Sequence, residues 1–216
     1  MTYQPFDPAV LRGKSAIITG GYRGIGLQVT QTLMDYGMHV VIMCRNDKQA
    51  LPVVEDLNAA AVSAGSNARA HLAAGDVNDA SDRQSALSAA EQLGQYAVLV
   101  NNAGTGAFGA METLDEQQIY DTLTTNLISP MQLMAAASRV FRANGFGRII
   151  NIGSDVVSYN LANAAPYVCS KIALQKITEL AAYEVTRDLS DFNGAYVAGG
   201  AVNIELDIRI NFLRLG

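Results

Sequence analysis

An apolar run that breaks into closely spaced glycines and then into a helical pattern constrains this chain most. Ser15-Ala16-Ile17-Ile18 reads as a short buried strand, and Thr19-Gly20-Gly21-Tyr22-Arg23-Gly24-Ile25-Gly26 follows it directly. A helix comes next, with Leu27, Leu33 and Met34 on a helical period and Gly37 at its C-terminal end. Glycines between a strand and a helix let the backbone approach a pyrophosphate, which the helix N-terminal amides and dipole then hold. The spacing is Gly-x-x-x-Gly-x-Gly (Gly20, Gly24, Gly26), not the commoner Gly-x-Gly-x-x-Gly. Such a turn can also be purely structural, but a strand before it and a helix after it favour a nucleotide.

The rest of the chain repeats the strand–helix alternation. Strands are expected near 15–19, 39–44, 69–74, 97–101 and 147–153, and helices near 24–36, 47–64, 79–93, 115–143 and 166–187. Alternation of this kind gives an α/β fold, a doubly wound parallel sheet with helices on both faces (a Rossmann fold). Ligands of such sheets sit beyond the carboxyl ends of the strands. With 216 residues, half of them apolar, the chain is expected to fold as one domain over 1–216. A net charge of −5 without a basic patch argues against nucleic acid. No apolar run approaches the roughly 20 residues of a membrane span, and the start lacks a signal peptide's apolar core. Cys44 and Cys169 are too few for a disulfide framework, so a reducing cytoplasm is expected. Cys169 is expected to pack. His39 and His71 have no matching ligands nearby, and no metal is expected.

A second constellation carries chemistry. In Ser154-Asp155-Val156-Val157-Ser158-Tyr159 through Pro166-Tyr167-Val168-Cys169-Ser170-Lys171, Tyr167 and Lys171 stand at i, i+4 on a helix that can begin near Pro166. An ammonium beside a phenol favours the phenolate, which suits proton exchange with a carbonyl or alcohol oxygen near neutral pH. Ser154 follows the strand Arg148-Ile149-Ile150-Asn151-Ile152 and can hydrogen-bond the same oxygen. Tyr-x-x-x-Lys alone is weak, since surface pairing explains most occurrences. Val98-Leu99-Val100 runs into Asn101-Asn102-Ala103-Gly104, and Asn126 lies inside an expected helix, where a buried amide needs a partner or a role.

These four elements, in this order and spacing over roughly residues 11 to 184, resemble the short-chain dehydrogenase/reductase family. The resemblance implies hydride transfer between a nicotinamide and a carbonyl or secondary alcohol, as in ketoreductases. It implies Tyr167 as general acid/base, Ser154 steadying the substrate oxygen, Lys171 tuning Tyr167 and holding the nicotinamide ribose, and Asn126 positioning a water. Cofactor contacts are expected at Gly20, Tyr22, Arg23, Gly24, Ile25, Gly26, Asn102, Ala103, Gly104, Tyr167 and Lys171. Asp76 and Val77 match the family's adenine-contacting pair, although Asp76 could instead belong to the next helix's N-terminus, where Asn78-Asp79 could also cap. Relatives pack the 115–143 and 166–187 helices into homodimers or homotetramers. The same resemblance leaves open a catalytically inactive NADP-binding sensor or scaffold, and a polyol or alcohol dehydrogenase working oxidatively.

Cofactor choice turns on the end of the second strand. An NAD enzyme usually places a carboxylate there for the ribose 2′-hydroxyl. Here Cys44 offers none and Arg45 follows, with Arg23 as a second cation. A guanidinium suits a 2′-phosphate, so NADP(H) is expected, unless both arginines are ordinary solvated charges.

The tail over 185–216 departs from the family's order. Residues 207–216 resemble the sixth strand and 194–205 the last strand, with Leu206 alone between them. Neighbouring parallel strands need a crossover of about a dozen residues. Either the two strands form a hairpin or the sequence joins segments not contiguous in the intact protein; the second is expected, without the substrate lid of relatives. Residues 207–213 should then pair beside the strand ending near Gly153, with 195–204 outside them, parallel, and Glu205 far from Leu206.

Overall fold

β1 (Lys14–Thr19) is buried along all but its first residue, as a run of small and β-branched residues covered on both faces requires. The computed structural model describes residues 7–185 and 207–215. After β1 come α1 (Gly24–Asp35), β2 (His39–Cys44), α2 (Asp47–Ser63), β3 (Ala70–Ala74), α3 (Ala80–Leu93) and β4 (Gln95–Asn101). They are followed by α4 (Glu116–Leu123), α5 (Ser129–Asn144), β5 (Phe146–Ile152), α6 (Ala165–Val185) and β6 (Asp207–Leu213). The strands belong to a six-stranded sheet with helices between them, the doubly wound α/β class expected from the sequence. Two compact units, 1–97 and 98–216, divide within β4.

In the first unit β1 pairs parallel with β2, and β2 with β3. The core is built on Ile17, Ile18, Val41 and Ile42 from the strands and Leu57 and Ala86 from the helices. The Ser15 hydroxyl donates to the Ala90 carbonyl at 2.6 Å, which ties β1 to α3 without leaving a buried donor unpaired. Asn46 caps α2 and Asp79 caps α3, each side chain accepting from backbone N–H groups of the first turn.

In the second unit β4 pairs parallel with β5, and β5 with β6 in the register Gly147↔Ile208 to Ile152↔Leu213. The expectation that 207–213 lies beside the strand ending near Gly153 is met. Its buried residues alternate (Ile208, Ile210), the mark of a strand with one face on the core. Residues 195–204, Glu205 and Leu206 lie outside the described residues. Two glycines permit close packing here: a Cβ on Gly147 would overlap Phe141, and one on Gly153 would overlap the Phe212 ring. Phe141, from α5, is fully buried. A buried ladder joins the layers. Asn101 Nδ2 donates to Asn151 Oδ1 at 2.8 Å, and Asn151 Nδ2 donates to Thr178 Oγ1 at 2.8 Å.

The helix expected over 115–143 is not regular throughout. Thr124–Ile128 form a π-helical turn between α4 and α5, so one residue more than the α repeat is accommodated there. The cause is visible in the contacts of Asn126, described next.

Candidate active site

The nucleotide-type turn lies in the first unit. Gly20 and Gly24 have φ of +68° and +54°, a region where any Cβ is strained. α1 begins at Gly24 behind an extended Arg23 that gives it no side-chain cap, so the first N–H groups of the helix are left for a ligand or water. Thr30 was not singled out by sequence. Its hydroxyl lies 2.9 Å from the carbonyls of both Gly21 and Gly26, pinning the turn against α1. A Cβ on Gly21 would come within 2.9 Å of that hydroxyl oxygen, so this glycine serves packing. A threonine four residues after a motif glycine was the available signal.

The Arg23 guanidinium lies 5.6 Å from the Tyr22 ring centroid, and Ile25 is exposed at the head of α1. At the end of β2, burial pushes the Cys44 thiol above its ordinary range. Arg45 is solvent-exposed, with Nη1 3.7 Å from Asp76 Oδ2. Asp79 rather than Asp76 caps α3, accepting from the N–H groups of Ser81 and Asp82 at 2.7 and 3.0 Å. Asp76 is thus left at the end of β3, and Val77 beside it is buried.

The catalytic-type residues lie in the second unit. Pro166 stands at the second position of α6, and Tyr167 and Lys171 follow one turn apart. Lys171 is buried, and its Nζ donates to the carbonyl of Ile152, the last residue of β5, at 2.9 Å. The same nitrogen is 5.8 Å from the Tyr167 ring centroid. Burial lowers Lys171 to about 8. Asn126 is buried in the π turn. Its Oδ1 accepts from Thr105 N at 2.9 Å, and its Nδ2 donates to Thr105 O at 2.7 Å and to Ser170 Oγ at 3.0 Å. Ser170 donates in turn to the Tyr167 carbonyl at 2.7 Å. A Cβ on Gly104 would lie 3.4 Å from Asn126 Oδ1 and 3.8 Å from Lys171 Nζ. Gly104, Asn126 and Lys171 are therefore brought together, with Ser170 as an unforeseen link whose only sequence cue was its place beside Lys171.

Ser154 stands just after β5 and caps a single 3-10 turn, Asp155–Ser158, accepting from Val156 N at 3.4 Å. Its Oγ is also 3.5 Å from Asp155 Oδ1. Phe108 covers part of Tyr167, with ring centroids 5.8 Å apart. Cys169 corrects an expectation: it is exposed, because α6 turns Ser170 and Lys171 inward and leaves the preceding position outside. Among the described residues no three His, Cys, Asp or Glu side chains converge as a metal site, and no helix is long and apolar enough to cross a membrane.

The buried lysine has a consequence for stability. Its folded value lies below that of an unfolded lysine, so the unfolded chain holds the extra proton between about pH 8 and 10.5. The burial penalty is fully present below that window and disappears across it. Urea unfolding should show the wild type gaining up to about 3 kcal/mol relative to Lys171→Met as pH rises through the window. Parallel pH profiles for the two proteins would contradict the buried cation.

The family model described as short chain dehydrogenase matches residues 14–204. The 3-oxoacyl-[acyl-carrier-protein] reductase FabG of Pseudomonas aeruginosa is 32% identical over 179 residues, 81% of this chain and 69% of that protein. The L-2,3-butanediol dehydrogenase of Corynebacterium glutamicum is 30% identical over 176 residues, 80% of this chain and 66% of that protein. Among solved structures, a metagenomic short-chain oxidoreductase in complex with NADP superposes with a TM-score of 0.78 at 28% identity, covering 95% of this chain and 83% of that one. A chain with a glycine turn, a buried asparagine, and a tyrosine and lysine one turn apart thus matches this family's model along most of its length, and the chain belongs to the short-chain dehydrogenase family.

Proposed function

We propose that this chain reduces a ketone or aldehyde with NADPH, Tyr167 acting as the general acid. The observation that carries the reading is Lys171, buried, fixed on the Ile152 carbonyl and held one helical turn from Tyr167. A dinucleotide fits the residues of the first unit. The positive-φ glycines Gly20 and Gly24 leave the backbone bare, and the uncapped head of α1 offers its amides to a pyrophosphate. Tyr22 and Ile25 flank that position, and Asp76 and Val77 are assigned to the adenine. Asn102, Ala103 and Gly104 follow β4, where the lack of a side chain on Gly104 leaves room beside Lys171. The bound nicotinamide would supply the hydride.

The chain's own groups do the rest. Ser154 donates a hydrogen bond to the carbonyl oxygen and fixes its direction. Tyr167 gives its phenolic proton to that oxygen as negative charge develops there. Lys171 favours the resulting phenolate and holds the ribose. Asn126 keeps the Thr105 backbone and Ser170 in place and positions the water through which the proton is restored. Association through α5 and α6 into a homo-oligomer is part of the reading, supported by exposed Met131, Ile172 and Leu180. Alcohol oxidation is the same chemistry reversed.

The test is turnover of NADPH with a panel of ketones and aldehydes, followed as loss of the reduced nicotinamide's absorbance. Tight NADPH binding without turnover of any of them would assign the chain to binding or sensing instead. The choice of NADP over NAD rests on exposed Arg45 and on Arg23. Arg45→Ala should weaken NADPH by about one to two decades and NADH far less, since a charge-assisted bond is worth about 1.5–3 kcal/mol. An equal loss for both, measured by fluorescence titration, would remove Arg45 from the 2′-phosphate.

A further inference from the structure

The residue after Ser154 is a carboxylate that no ion pair among the described residues neutralises. Asp155 Oδ1 lies 3.5 Å from Ser154 Oγ and 3.3 Å from the Tyr159 hydroxyl. Its backbone N–H donates to the Leu215 carbonyl at 2.9 Å, so the turn that carries it is fixed beyond the end of β6. The ion pairs of the described residues join Arg45 to Asp76, Arg148 and Arg209 to Asp207, and Lys176 to Glu179; none reaches Asp155. Lys171 is buried and directed at the Ile152 carbonyl, and exposed Arg214, beside Leu215, makes no ion pair with Asp155.

Tyr167 also meets an apolar ring. Phe108 tilts across its ring and is 65% exposed, free to meet a substrate on its other face. Gly106 makes that approach possible, because a Cβ there would come within 2.6 Å of the Phe108 ring and 3.3 Å of Tyr167. The loop that carries Phe108 is tied to the segment after Asp155 by Gly109 N donating to Asn163 O at 2.8 Å. Partial desolvation first, then the Asp155 carboxylate, and Tyr167 last push the Tyr159 phenol above its ordinary range. Tyr159 therefore remains a donor to the carboxylate.

We propose that Asp155 sets the charge selectivity of this site: it takes uncharged or ammonium-bearing ketones with an apolar or aromatic flank, and discriminates against ketones that carry a carboxylate or phosphate near the carbonyl. The flank lies on Phe108, and the Asp155–Tyr159 pair receives a hydroxyl or ammonium of the substrate. This rests on Ser154 and Tyr167 binding the carbonyl oxygen. Two unit charges about 6–7 Å apart at an effective dielectric of about 20–40 interact strongly enough to change affinity by tenfold or more. The effect weakens with added salt.

The test uses three phenyl ketones of one skeleton, phenyl–CO–CH2–CH2–X with X a methyl, an ammonium or a carboxylate, each with NADPH and the full chain at low salt. The ratio of kcat/KM for the ammonium over the carboxylate should be about tenfold or more in the wild type. Asp155→Asn should bring the ratio to within about threefold, and Tyr159→Phe, which leaves the charge, should keep it. A wild-type ratio near one, or a ratio that survives in Asp155→Asn, overturns the proposal. Dissociation constants for the same three ketones, measured by calorimetry on the protein–NADPH mixture, separate the two readings. An Asp155-dependent preference in binding without turnover upholds the charge selectivity and sinks the catalytic assignment. Turnover without charge preference does the reverse, and failure of all three ketones to bind overturns the selectivity as well.

Discussion

Replacement of Tyr167 by phenylalanine should lower kcat for ketone reduction by about 10²-fold or more, the range typical of lost acid–base catalysis. The substitution removes one oxygen and leaves the ring, so the contact with Phe108 at 5.8 Å between centroids is retained. NADPH affinity should remain near the wild-type value, because Lys171 keeps its own anchor on the Ile152 carbonyl. A lowered kcat with unchanged cofactor affinity isolates the proton. Activity within a few-fold of wild type would remove Tyr167 from the acid role and direct attention to Ser154 or a bound water.

Asn151→Ala should destabilise the fold by about 2–4 kcal/mol, a large fraction of a domain's total. Asn151 is fully buried on β5. It accepts from Asn101 on β4 and donates to Thr178 on α6, with Met134 Sδ 3.1 Å from the same nitrogen. Truncation leaves the Asn101 amide without its acceptor in a place water does not reach, and opens a cavity as well. Urea unfolding measures the loss directly. A change under about 0.5 kcal/mol would mean that the ladder contributes no more than a typical surface contact.

Much of this architecture was legible in the sequence, for physical reasons. Strands buried on both faces must be continuous apolar runs, so Ala16 to Ile18 and Val40 to Met43 could be read without ambiguity. The glycine turn announced itself because the left-handed backbone of Gly20 and Gly24 strongly favours glycine. Tyr167 and Lys171 stood out because a fixed helical spacing brings both to one face. The pairing of β6 with β5 was readable from the family's order.

The remaining features depend on tertiary partners distant in sequence. Nothing local to Asn151 reveals that Asn101 and Thr178 will meet it, since the three are brought together only when β4, β5 and α6 pack. Ser170 was hidden between two conspicuous neighbours, and Thr30 among helix-surface residues. Cys169 was misread because small thiols are usually buried, whereas the face of α6 it occupies is set by Lys171 and Ser170.

The π turn at Thr124–Ile128 has a consequence for how this segment can change over time. Each residue advances an α-helix by about 100° of rotation. The extra residue is absorbed within the turn, so α4 and α5 keep the faces they would have on one unbroken helix one residue shorter. Removing that residue would restore the α repeat and keep Leu133, Met134, Ala137 and Phe141 in the core, at the expense of the Asn126 contacts with Thr105 and Ser170. A deletion or insertion in the regular turns of α5 is absorbed by nothing and would swing every residue beyond it by that angle. The length of this segment is therefore adjustable at the turn and fixed on either side of it.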